Sequence, residues 1–379
     1  MLSGYRAAIA PLAAAVLAFA ASSAAGLPPG YSVTDLGTLG GGAKSAEREV
    51  TGINSKGEVV GYWDTPGENT HAFLWLPEPA YGLPAGMNDL GARPGYGSES
   101  RAYAIGDSGR VVCVAGGACY WQNGVWFGLG GNDSWAYAIN NAGRVAGEAK
   151  VDLVNEYHAF LWNPTADLGD IGGRQFAIAR ALNDQGQVVG YARSPEPGAD
   201  LRAFLWEDGA ATWLGTFEDG GNSYAYGINN SGMVAGWAVN ATYDQRAFVW
   251  EEGLGITDLG ALGGRHSRCS GGINDAGQVV GWSETVPPGE GDQVEHAFVW
   301  EDGVIYDLND LIPPDFGWVL EKAYDLNEHG QIAGVGYFGG HMTAFLLTPV
   351  PEPATLSLLA LGGAVALGHG RRRSGRRSA

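Results

Sequence analysis

Residues 138–147 read Ala-Ile-Asn-Asn-Ala-Gly-Arg-Val-Ala-Gly, and related phrases recur along the chain. The seven copies begin at Gly52, Ala104, Ala138, Ala181, Gly227, Gly272 and Asp325 and end at Gly61, Cys113, Gly147, Gly190, Gly236, Gly281 and Gly334. The mean spacing between copies is about 45 residues, which is near the length of a propeller blade. One repeating unit therefore decides the fold.

Two further phrases recur along the chain. The first has the pattern His-Ala-Phe-Leu-Trp and occurs at residues 71–75, 118–121, 158–162, 202–206, 246–250, 296–300 and 343–347. The second resembles Asp-Leu-Gly and begins at Asp35, Asp89, Phe127, Asp167, Trp213, Asp258 and Asp307. Glycine-rich turns separate these short apolar runs, which predicts four β-strands per repeat and an all-β fold.

The Asp-Leu-Gly strands are displaced by one position relative to the repeats. The first, at Asp35, precedes the first repeat, and none follows the seventh. Every repeat has four strands if the N-terminal strand, around residues 31–36, joins the last repeat. This closure also removes the open sheet edges. We therefore predict a seven-bladed β-propeller closed by its N-terminal strand, in preference to an open β-solenoid.

The Asn-x-x-Gly step inside each phrase is typical of a tight hairpin. Asparagine accepts a hydrogen bond from the backbone two residues on, and glycine takes the left-handed conformation that closes the turn. A calcium loop is disfavoured, because Lys56 lies inside one copy and Gly106 replaces the asparagine of another. The histidine of the second phrase occurs in only three copies, so no metal site is expected. The aromatic positions of that phrase predict packing between blades.

The His-Ala-Phe triplets at residues 71–73, 158–160 and 296–298 resemble those of the bacterial HAF-repeat extracellular family. The resemblance covers residues 31–348 and implies an extracellular protein, but no activity. The second copy departs most from the pattern, at Gly106, Cys113 and Cys119.

Both ends of the chain read as export signals. Residues 1–25 combine Arg6, an apolar run and small residues, which is typical of a signal peptide removed by signal peptidase. At the other end, Pro351, Glu352 and Pro353 precede the apolar residues 354–367 and an arginine cluster. This apolar run is shorter than the roughly 18–20 residues of a stable span, and the arginines favour the cytoplasmic side.

The C-terminal tail resembles the PEP-CTERM sorting signal. That resemblance implies processing by exosortase, a transpeptidase-like membrane enzyme of Gram-negative bacteria, and an association with exopolysaccharide. The alternative is an ordinary single-span anchor. We therefore divide the chain into a signal peptide (1–25), a propeller (26–348) and a sorting tail (349–379) with a C-terminal hydrophobic helix. The predicted location is the cell surface or the extracellular space, with membrane contact through the tail before processing.

The chain is strongly acidic, with 41 Asp and Glu against 22 Lys and Arg and a net charge of −19. Removal of both ends takes away six of the cations and makes the body still more acidic. Such a body is repelled by nucleic acid and by anionic lipid, so neither is an expected partner.

Cys113 and Cys119 lie on either side of an Ala-Gly-Gly turn, which places them opposite each other on adjacent strands. A disulfide is therefore predicted in an oxidising compartment, with two buried thiols as the alternative. Cys269 has no evident partner and no catalytic setting.

The longer connections, from second to third strand and from one repeat to the next, fall on one face of the propeller. Variable loops on a rigid scaffold are frequent binding sites. The expected ligand face carries Asp152, Glu156, Glu196, Asp200, Asp244, Glu290, Asp292 and Glu295. A solvated acidic rim without a ligand is the alternative.

No catalytic constellation or cofactor motif recurs across the repeats. The leading hypothesis is an exported, non-enzymatic surface or matrix protein linked to exopolysaccharide. A carbohydrate- or cation-binding lectin is the second hypothesis. A polysaccharide hydrolase or lyase is the third, because propellers support many activities.

Overall fold

A computed structural model confirms the seven-bladed propeller, in which each blade is a four-stranded antiparallel sheet. The structure describes residues 30–41, 49–67, 69–151, 156–169, 171–172, 176–195, 201–217, 221–286, 294–314 and 317–350. The predicted signal peptide and the predicted C-terminal hydrophobic helix lie outside these ranges. Within them, no helix has the length and apolar character needed to cross a membrane.

The blades follow one another along the chain, and each runs from an innermost to an outermost strand. Blades one and two contain β2 Glu49–Ile53, β3 Val59–Asp64, β4 Thr70–Leu76, β5 Gly86–Gly91, β6 Arg101–Ile105, β7 Val111–Val114, β8 Ala118–Gln122 and β9 Val125–Gly128. Blades three and four contain β10 Ser134–Ile139, β11 Val145–Val151, β12 Glu156–Trp162, β13 Ala166–Asp167, β14 Ala177–Leu182, β15 Val188–Arg193, β16 Leu201–Glu207 and β17 Ala210–Gly215.

Blades five and six contain β18 Ser223–Ile228, β19 Val234–Val239, β20 Gln245–Glu251, β21 Gly255–Asp258, β22 Ser267–Ile273, β23 Val279–Glu284, β24 Glu295–Glu301 and β25 Val304–Asp307. A short 3₁₀ helix, Leu308–Leu311, follows. Blade seven contains β26 Trp318–Leu326, β27 Ile332–Phe338 and β28 His341–Pro349, and its fourth strand is β1 Tyr31–Gly37.

Closure of the ring by the N-terminal strand is confirmed. Strand β1 pairs antiparallel with β28, from Tyr31 opposite Pro349 to Gly37 opposite Ala344. The pairing joins residues more than 300 positions apart, as the hydroxyl of Thr343 shows by donating to Asp35 (2.7 Å). The last blade therefore has four strands, as the others do, and β1 supplies the outermost one.

The second phrase packs the blades against one another, as predicted. In the first blade, Phe73 lies in a buried cluster with residues of blade seven, whereas Leu74 lies in a cluster with Val111 and Trp121 of blade two. Alternate side chains of one strand thus fill two different interfaces between blades. This arrangement gives the ring a continuous apolar core.

A buried serine adds a polar link between several neighbouring blades. Ser223, at the start of β18, accepts a hydrogen bond from the backbone N–H of Ala203 (3.0 Å) and donates to the Gly215 carbonyl (2.7 Å). Ser100, Ser134 and Ser267 make the same pair of contacts with the blade before them. Each serine satisfies backbone groups that would otherwise be buried without partners.

Candidate functional site

The innermost strands surround a central channel, and its two ends differ. We call the end formed by the connections between first and second strands the hairpin face, and the opposite end the loop face. The repeat asparagines line a cavity of about 220 Å³ at the hairpin face, and a cavity of about 510 Å³ lies deeper in the channel. The larger volume falls within the roughly 300–1,000 Å³ range of small-molecule sites.

At the hairpin face, the repeat asparagines form the predicted turns. Asn229 shows the pattern: its Oδ1 accepts from the backbone N–H groups of Ser231 (3.1 Å) and Met233 (2.9 Å). The glycine three residues after the asparagine position has a positive φ in all seven copies, as Gly232 does (85°). The Asn-x-x-Gly step is thus explained by local backbone chemistry.

The same asparagines also join neighbouring blades, which the sequence did not reveal. The side-chain amide of Asn229 donates to the backbone carbonyl of Asn274 in the next blade (3.0 Å). Equivalent bonds run from Asn54, Asn140, Asn183, Asn274 and Asn327. Gly106 has no side chain to continue this series, so blade two makes no such bond to blade three. We call this set of bonds the asparagine clasp.

Deeper in the channel, each innermost strand carries a β-bulge three residues before the asparagine position. The bulge interrupts the register between Ala179 and Ala181, for example, and the extra residue is Arg180. The corresponding residues in other blades are Thr51, Tyr103, Tyr137, Tyr226 and Tyr324, all of which line the larger cavity. We call these six residues the channel ring. Bulges commonly redirect a side chain next to a functional site.

The glycine at the end of the Val-Val-Gly sequence lies opposite the bulged part of the inner strand in six blades. In blade six, a Cβ atom on Gly281 would overlap the carbonyl oxygen of Arg268 and approach the Phe298 ring. The same conflict with an inner-strand carbonyl recurs at Gly61, Gly147, Gly190, Gly236 and Gly334. In these six blades the glycine leaves room for the inner-strand carbonyl, whereas blade two, which has the same bulge, carries Cys113 at this position.

Arg180 lies between two tyrosines of the channel ring. Its guanidinium carbon is 4.2 Å from the Tyr137 ring centre and 4.9 Å from the Tyr226 ring centre. Within the described part of the chain, no hydrogen bond or ion pair engages this guanidinium. Stacking holds the flat faces of the group and leaves its N–H donors available.

A second set of aromatic and cationic side chains covers the wall near blades five to seven. Tyr224 stacks on Trp237 (4.2 Å between ring centres), and Arg268 lies 4.5 Å from the Trp237 ring and 5.4 Å from that of Trp282. Lys322 continues the series at 5.2 Å from Trp282. We call these five residues the cation ladder. Unlike Arg180, both of its cations have polar partners, because Arg268 donates to Gln245 and Lys322 pairs with Glu295.

Two carboxylates of the channel accept hydrogen bonds from tyrosines. Tyr62 donates to Glu49 (2.5 Å), and Tyr137 donates to Glu148 (2.8 Å). Burial, together with the adjacent carboxylate, raises the pKa of Tyr62 and of Tyr137 far above the ordinary value. These phenols therefore remain neutral hydrogen-bond donors at physiological pH.

Asp325 lies on the wall of both cavities, at the seam between blades seven and one. Its carboxylate accepts from the backbone N–H groups of Ile53 (3.0 Å) and Leu326 (2.9 Å). Burial nevertheless raises the pKa of Asp325 to about 7. The equivalent position in the other six blades is glycine or alanine.

An apolar ring separates the aromatic region of the channel from the asparagine clasp. It consists of the residue before each asparagine position: Ile53, Ile105, Ile139, Leu182, Ile228, Ile273 and Leu326. Most of these residues line both cavities. The larger cavity thus has an apolar boundary toward the hairpin face.

The acidic residues of the predicted ligand face divide into two groups. Asp152, Glu196, Asp200, Glu290 and Asp292 lie outside the described residues. Glu156 begins β12, Asp244 accepts from the Thr242 hydroxyl and lies 3.9 Å from Arg265, and Glu295 pairs with Lys322 at 2.8 Å. Glu295 is the one that contacts the cation ladder.

The first residue of the second phrase has a structural partner. His71, His158 and His296 contact Asp89, Asp167 and Asp307 of the Asp-Leu-Gly strands, and Arg246 contacts Asp258. The aspartates also accept from the backbone two residues on, as Asp258 does from Gly260 (2.8 Å). Arg246 thus replaces the histidine in blade five and keeps the contact with the aspartate. Within the described ranges, no group of three or more His, Cys, Asp or Glu residues is arranged to hold a metal ion.

Cys113 and Cys119 face each other across β7 and β8, as the sequence predicted. They take the places that Gly61 and Phe73 occupy in blade one, so a cysteine pair replaces a glycine–phenylalanine pair. Both are buried free thiols in this structure, and a disulfide between them in an oxidising compartment stays a prediction. Burial raises the pKa of the Cys119 thiol to about 11, which disfavours the thiolate.

The channel ring was not anticipated from the sequence, although a signal was present. The position three before the asparagine carries tyrosine in four copies and arginine in one, between neighbours that are mostly small or aliphatic. An alignment of the seven repeats shows this run of tyrosine and arginine, which indicates the channel ring.

Comparisons with known proteins concern the tail and the fold. The profile of the PEP-CTERM protein-sorting motif matches residues 349–373, which includes Pro351, Glu352 and Pro353. The motif implies an exported protein that exosortase processes. No curated protein matches the chain in sequence.

Several solved structures are similar in fold at low identity. TolB from Acinetobacter baumannii is 8% identical, with a TM-score of 0.41, over 77% of this chain and 63% of TolB. Trypanosoma rangeli sialidase is 10% identical, with a TM-score of 0.39, over 88% of this chain and 61% of the sialidase. The Aleuria aurantia lectin is 8% identical, with a TM-score of 0.36, over 82% of this chain and 98% of the lectin. The chain spans less than two thirds of the first and second of these proteins.

Proposed function

We propose that this chain is an exported, exosortase-processed protein of the cell surface or extracellular matrix that binds a saccharide of the exopolysaccharide in its central channel, without catalysis. The observation that carries the proposal is the larger cavity, whose wall combines the channel ring with the cation ladder. Aromatic faces and neutral hydroxyl donors suit a sugar, which offers both C–H surfaces and hydroxyl groups.

The chemistry of the channel supports binding in preference to catalysis. The tyrosines beside Glu49 and Glu148 have raised pKa values, so they are poor nucleophiles at neutral pH. Glu49 and Glu148 accept hydrogen bonds from these tyrosine hydroxyls, and Asp325 accepts from two backbone N–H groups. A hydrolase or lyase would need a carboxyl group free to exchange protons with the substrate.

Membership in the HAF-repeat extracellular family, suggested by the His-Ala-Phe triplets, belongs to the same proposal. An extracellular location is consistent with the acidic body and with the sorting motif at residues 349–373. The exopolysaccharide is the polymer with which PEP-CTERM proteins are associated.

Binding is tested by titrating the mature protein with oligosaccharides prepared from the exopolysaccharide of the native host. We expect saturable binding by calorimetry, weakened about tenfold or more by Tyr226→Ala. Tyr243→Ala is the matched control, because Tyr243 is 86% exposed and lies outside the channel lining. Chain shortening of the oligosaccharides during incubation would contradict the non-enzymatic part, and equal affinity of both variants would contradict the channel site.

Processing is tested by mass spectrometry of the mature protein from the native host. We expect a C-terminus that lacks the arginines at residues 371–377. An intact tail that retains them would contradict exosortase processing.

A further inference from the structure

The cation in the middle of the channel wall has no partner of its own. Among the described residues, every other channel cation contacts a polar group, whereas Arg180 touches only the rings of Tyr137 and Tyr226. Arg180 is half-buried, so its guanidinium keeps only part of its contact with water and gains free energy from an anion or an acceptor in the channel. The position of Arg180 therefore points to a group that is supplied from outside the chain.

The charged neighbours of Arg180 do not fulfil that role. Glu148, on the next strand of blade three, acts on Arg180 through space, but its hydrogen bond comes from the Tyr137 hydroxyl. Asp325, on the opposite side of the ring, is held by two backbone N–H groups. Burial raises the pKa of Tyr191, which also lies near Arg180, to about 12, so this phenol supplies no negative charge.

The geometry around Arg180 selects a carboxylate. A stacked guanidinium presents its N–H donors in one plane, and two of them match the two oxygens of a carboxylate. The apolar ring of isoleucine and leucine residues bounds the cavity toward the hairpin face and reduces screening by water. The overall negative charge of the protein repels anions from its surface, so the affinity must come from this local site.

The groups beside Arg180 also suit the rest of a sugar. The hydroxyls of Tyr191, Tyr226 and Tyr324 have no partner within the described residues, and all three belong to the channel wall or to the ring stack around Arg180. They offer hydrogen bonds to ring hydroxyls, and the aromatic faces offer apolar contact. A carboxylate on a sugar ring would use both parts of the site together.

We propose that the channel binds an acidic saccharide, with the carboxylate of a uronic acid unit held by the Arg180 guanidinium between Tyr137 and Tyr226. This inference rests on the proposed function, because it names the class of saccharide that the same cavity takes. It assigns no chemical step to the protein.

The test compares three probes with the full mature protein by calorimetry: glucuronate, glucose and acetate. We expect glucuronate to bind at least tenfold more tightly than either of the others. Arg180→Gln should remove that advantage, because it should weaken glucuronate binding far more than glucose binding. Arg110→Gln is the matched control, since Arg110 stacks on Tyr120 at 4.5 Å outside the channel, and it should change nothing.

A second measurement, which uses the unaltered protein, tests the same proposal if Arg180→Gln disturbs folding. For the unaltered protein, raising sodium chloride from 50 to 500 mM should weaken glucuronate binding several-fold and leave glucose binding unchanged. Arg180→Lys, which keeps the charge but not the planar donors, should retain only part of the preference.

The other outcomes separate the two proposals. Equal binding of glucose and glucuronate, or equal loss of both in Arg180→Gln, would overturn the acidic-saccharide inference and leave the saccharide channel in place. Acetate binding as tight as glucuronate binding would show that the site recognises a carboxylate alone, which overturns the saccharide class. Failure of all probes and of the exopolysaccharide fragments would overturn both proposals.

Discussion

The two ends of the central channel are built from the same seven strands, yet they differ in how closely the blades repeat. At the hairpin face, six of the seven blades place an asparagine that closes its own turn and contacts the next blade. Three residues earlier in the seven strands, the bulge position holds Thr51, Tyr103, Tyr137, Arg180, Tyr226, Gly271 and Tyr324. Within one chain, uniform positions therefore mark structure, and varied positions mark a surface that acquired different chemistry blade by blade.

The difference between the asparagine clasp and the channel ring leads to separate predictions for stability and for binding. Changes at the uniform positions should alter stability without altering binding. Changes in the channel ring should alter binding with smaller effects on stability.

The largest expected effect on stability comes from Gly281→Ala. The added Cβ would overlap the Arg268 carbonyl and contact the Phe298 ring, so the blade must shift. We expect a loss of about 3 kcal/mol in unfolding free energy, measured by chemical denaturation. Gly131→Ala is the control, because no atom lies near its Cβ position and its φ is not positive. A mild effect at Gly281 would show that the bulge does not dictate this glycine.

Asn229→Ala should have the next largest effect. It removes two backbone contacts within the turn and the amide bond to Asn274, at a cost of about 2 kcal/mol. Affinity for a channel ligand should stay within twofold. Asn230→Ala, which alters the exposed neighbour, should cost less. Loss of binding without loss of stability would contradict the division between the two ends.

Asp325 lies at the boundary between the two ends and predicts a dependence of stability on pH. Its pKa in the folded chain is about 7, and in the unfolded chain it is near the ordinary value of about 4. The folded state thus binds more protons between these values, and the stabilisation present below pH 4 is lost as the pH rises through 7. The melting temperature should be higher at pH 5.5 than at pH 8.

Other groups act in the same direction, so a variant is needed to assign the effect. The hydrogen bond with Asp307 raises the pKa of His296, and burial raises that of Glu328. Asp325→Ala introduces the residue found at this position in blades two to four and should reduce the pH dependence. An unchanged difference between pH 5.5 and pH 8 would show that Asp325 does not titrate as described.

The smallest expected effect is a gain. Gly106→Asn restores the asparagine of blade two, and the nearest atom to its Cβ position is an Ile139 carbon at 3.6 Å. The new amide should donate to the Asn140 carbonyl and raise stability by about 1 kcal/mol. Gly106→Ala adds the Cβ without the amide and is the control. Equal stability of the two variants would contradict the role of the clasp.

The fold could be predicted because each repeat carries the same pattern of strands and turns, so seven copies indicate the same blade. Seven copies of one phrase, and the displaced strand at Asp35, determined the blade number and the closure. The turn role of the asparagines was also predictable, since it depends on residues within one hairpin. Their contact with the next blade was not, because it depends on how the blades are placed around the axis.

The site was harder to predict for a related reason. Strand alternation shows which residues share a face, but it does not show that a bulge places Arg180 in the channel. Loop position alone therefore pointed to the loop carboxylates as the ligand face, and among those that the structure describes Glu295 contacts the cation ladder. Its candidate disulfide rested on a pairing that the structure contains, whereas the state of the two thiols depends on the redox compartment and not on register.

Closure by β1 has a consequence for the order of events during export. The first strand of the described residues pairs with the last strand before the sorting motif, and the Val350 N–H donates to the Gly30 carbonyl at 2.8 Å. The final sheet cannot form until almost the whole body has crossed the membrane, because its two outer strands are made first and last. The points at which the chain enters and leaves the propeller, near residues 30 and 350, then lie side by side. A cut beyond residue 350 therefore leaves every blade complete. Removal of the tail and integrity of the propeller are thereby independent of each other.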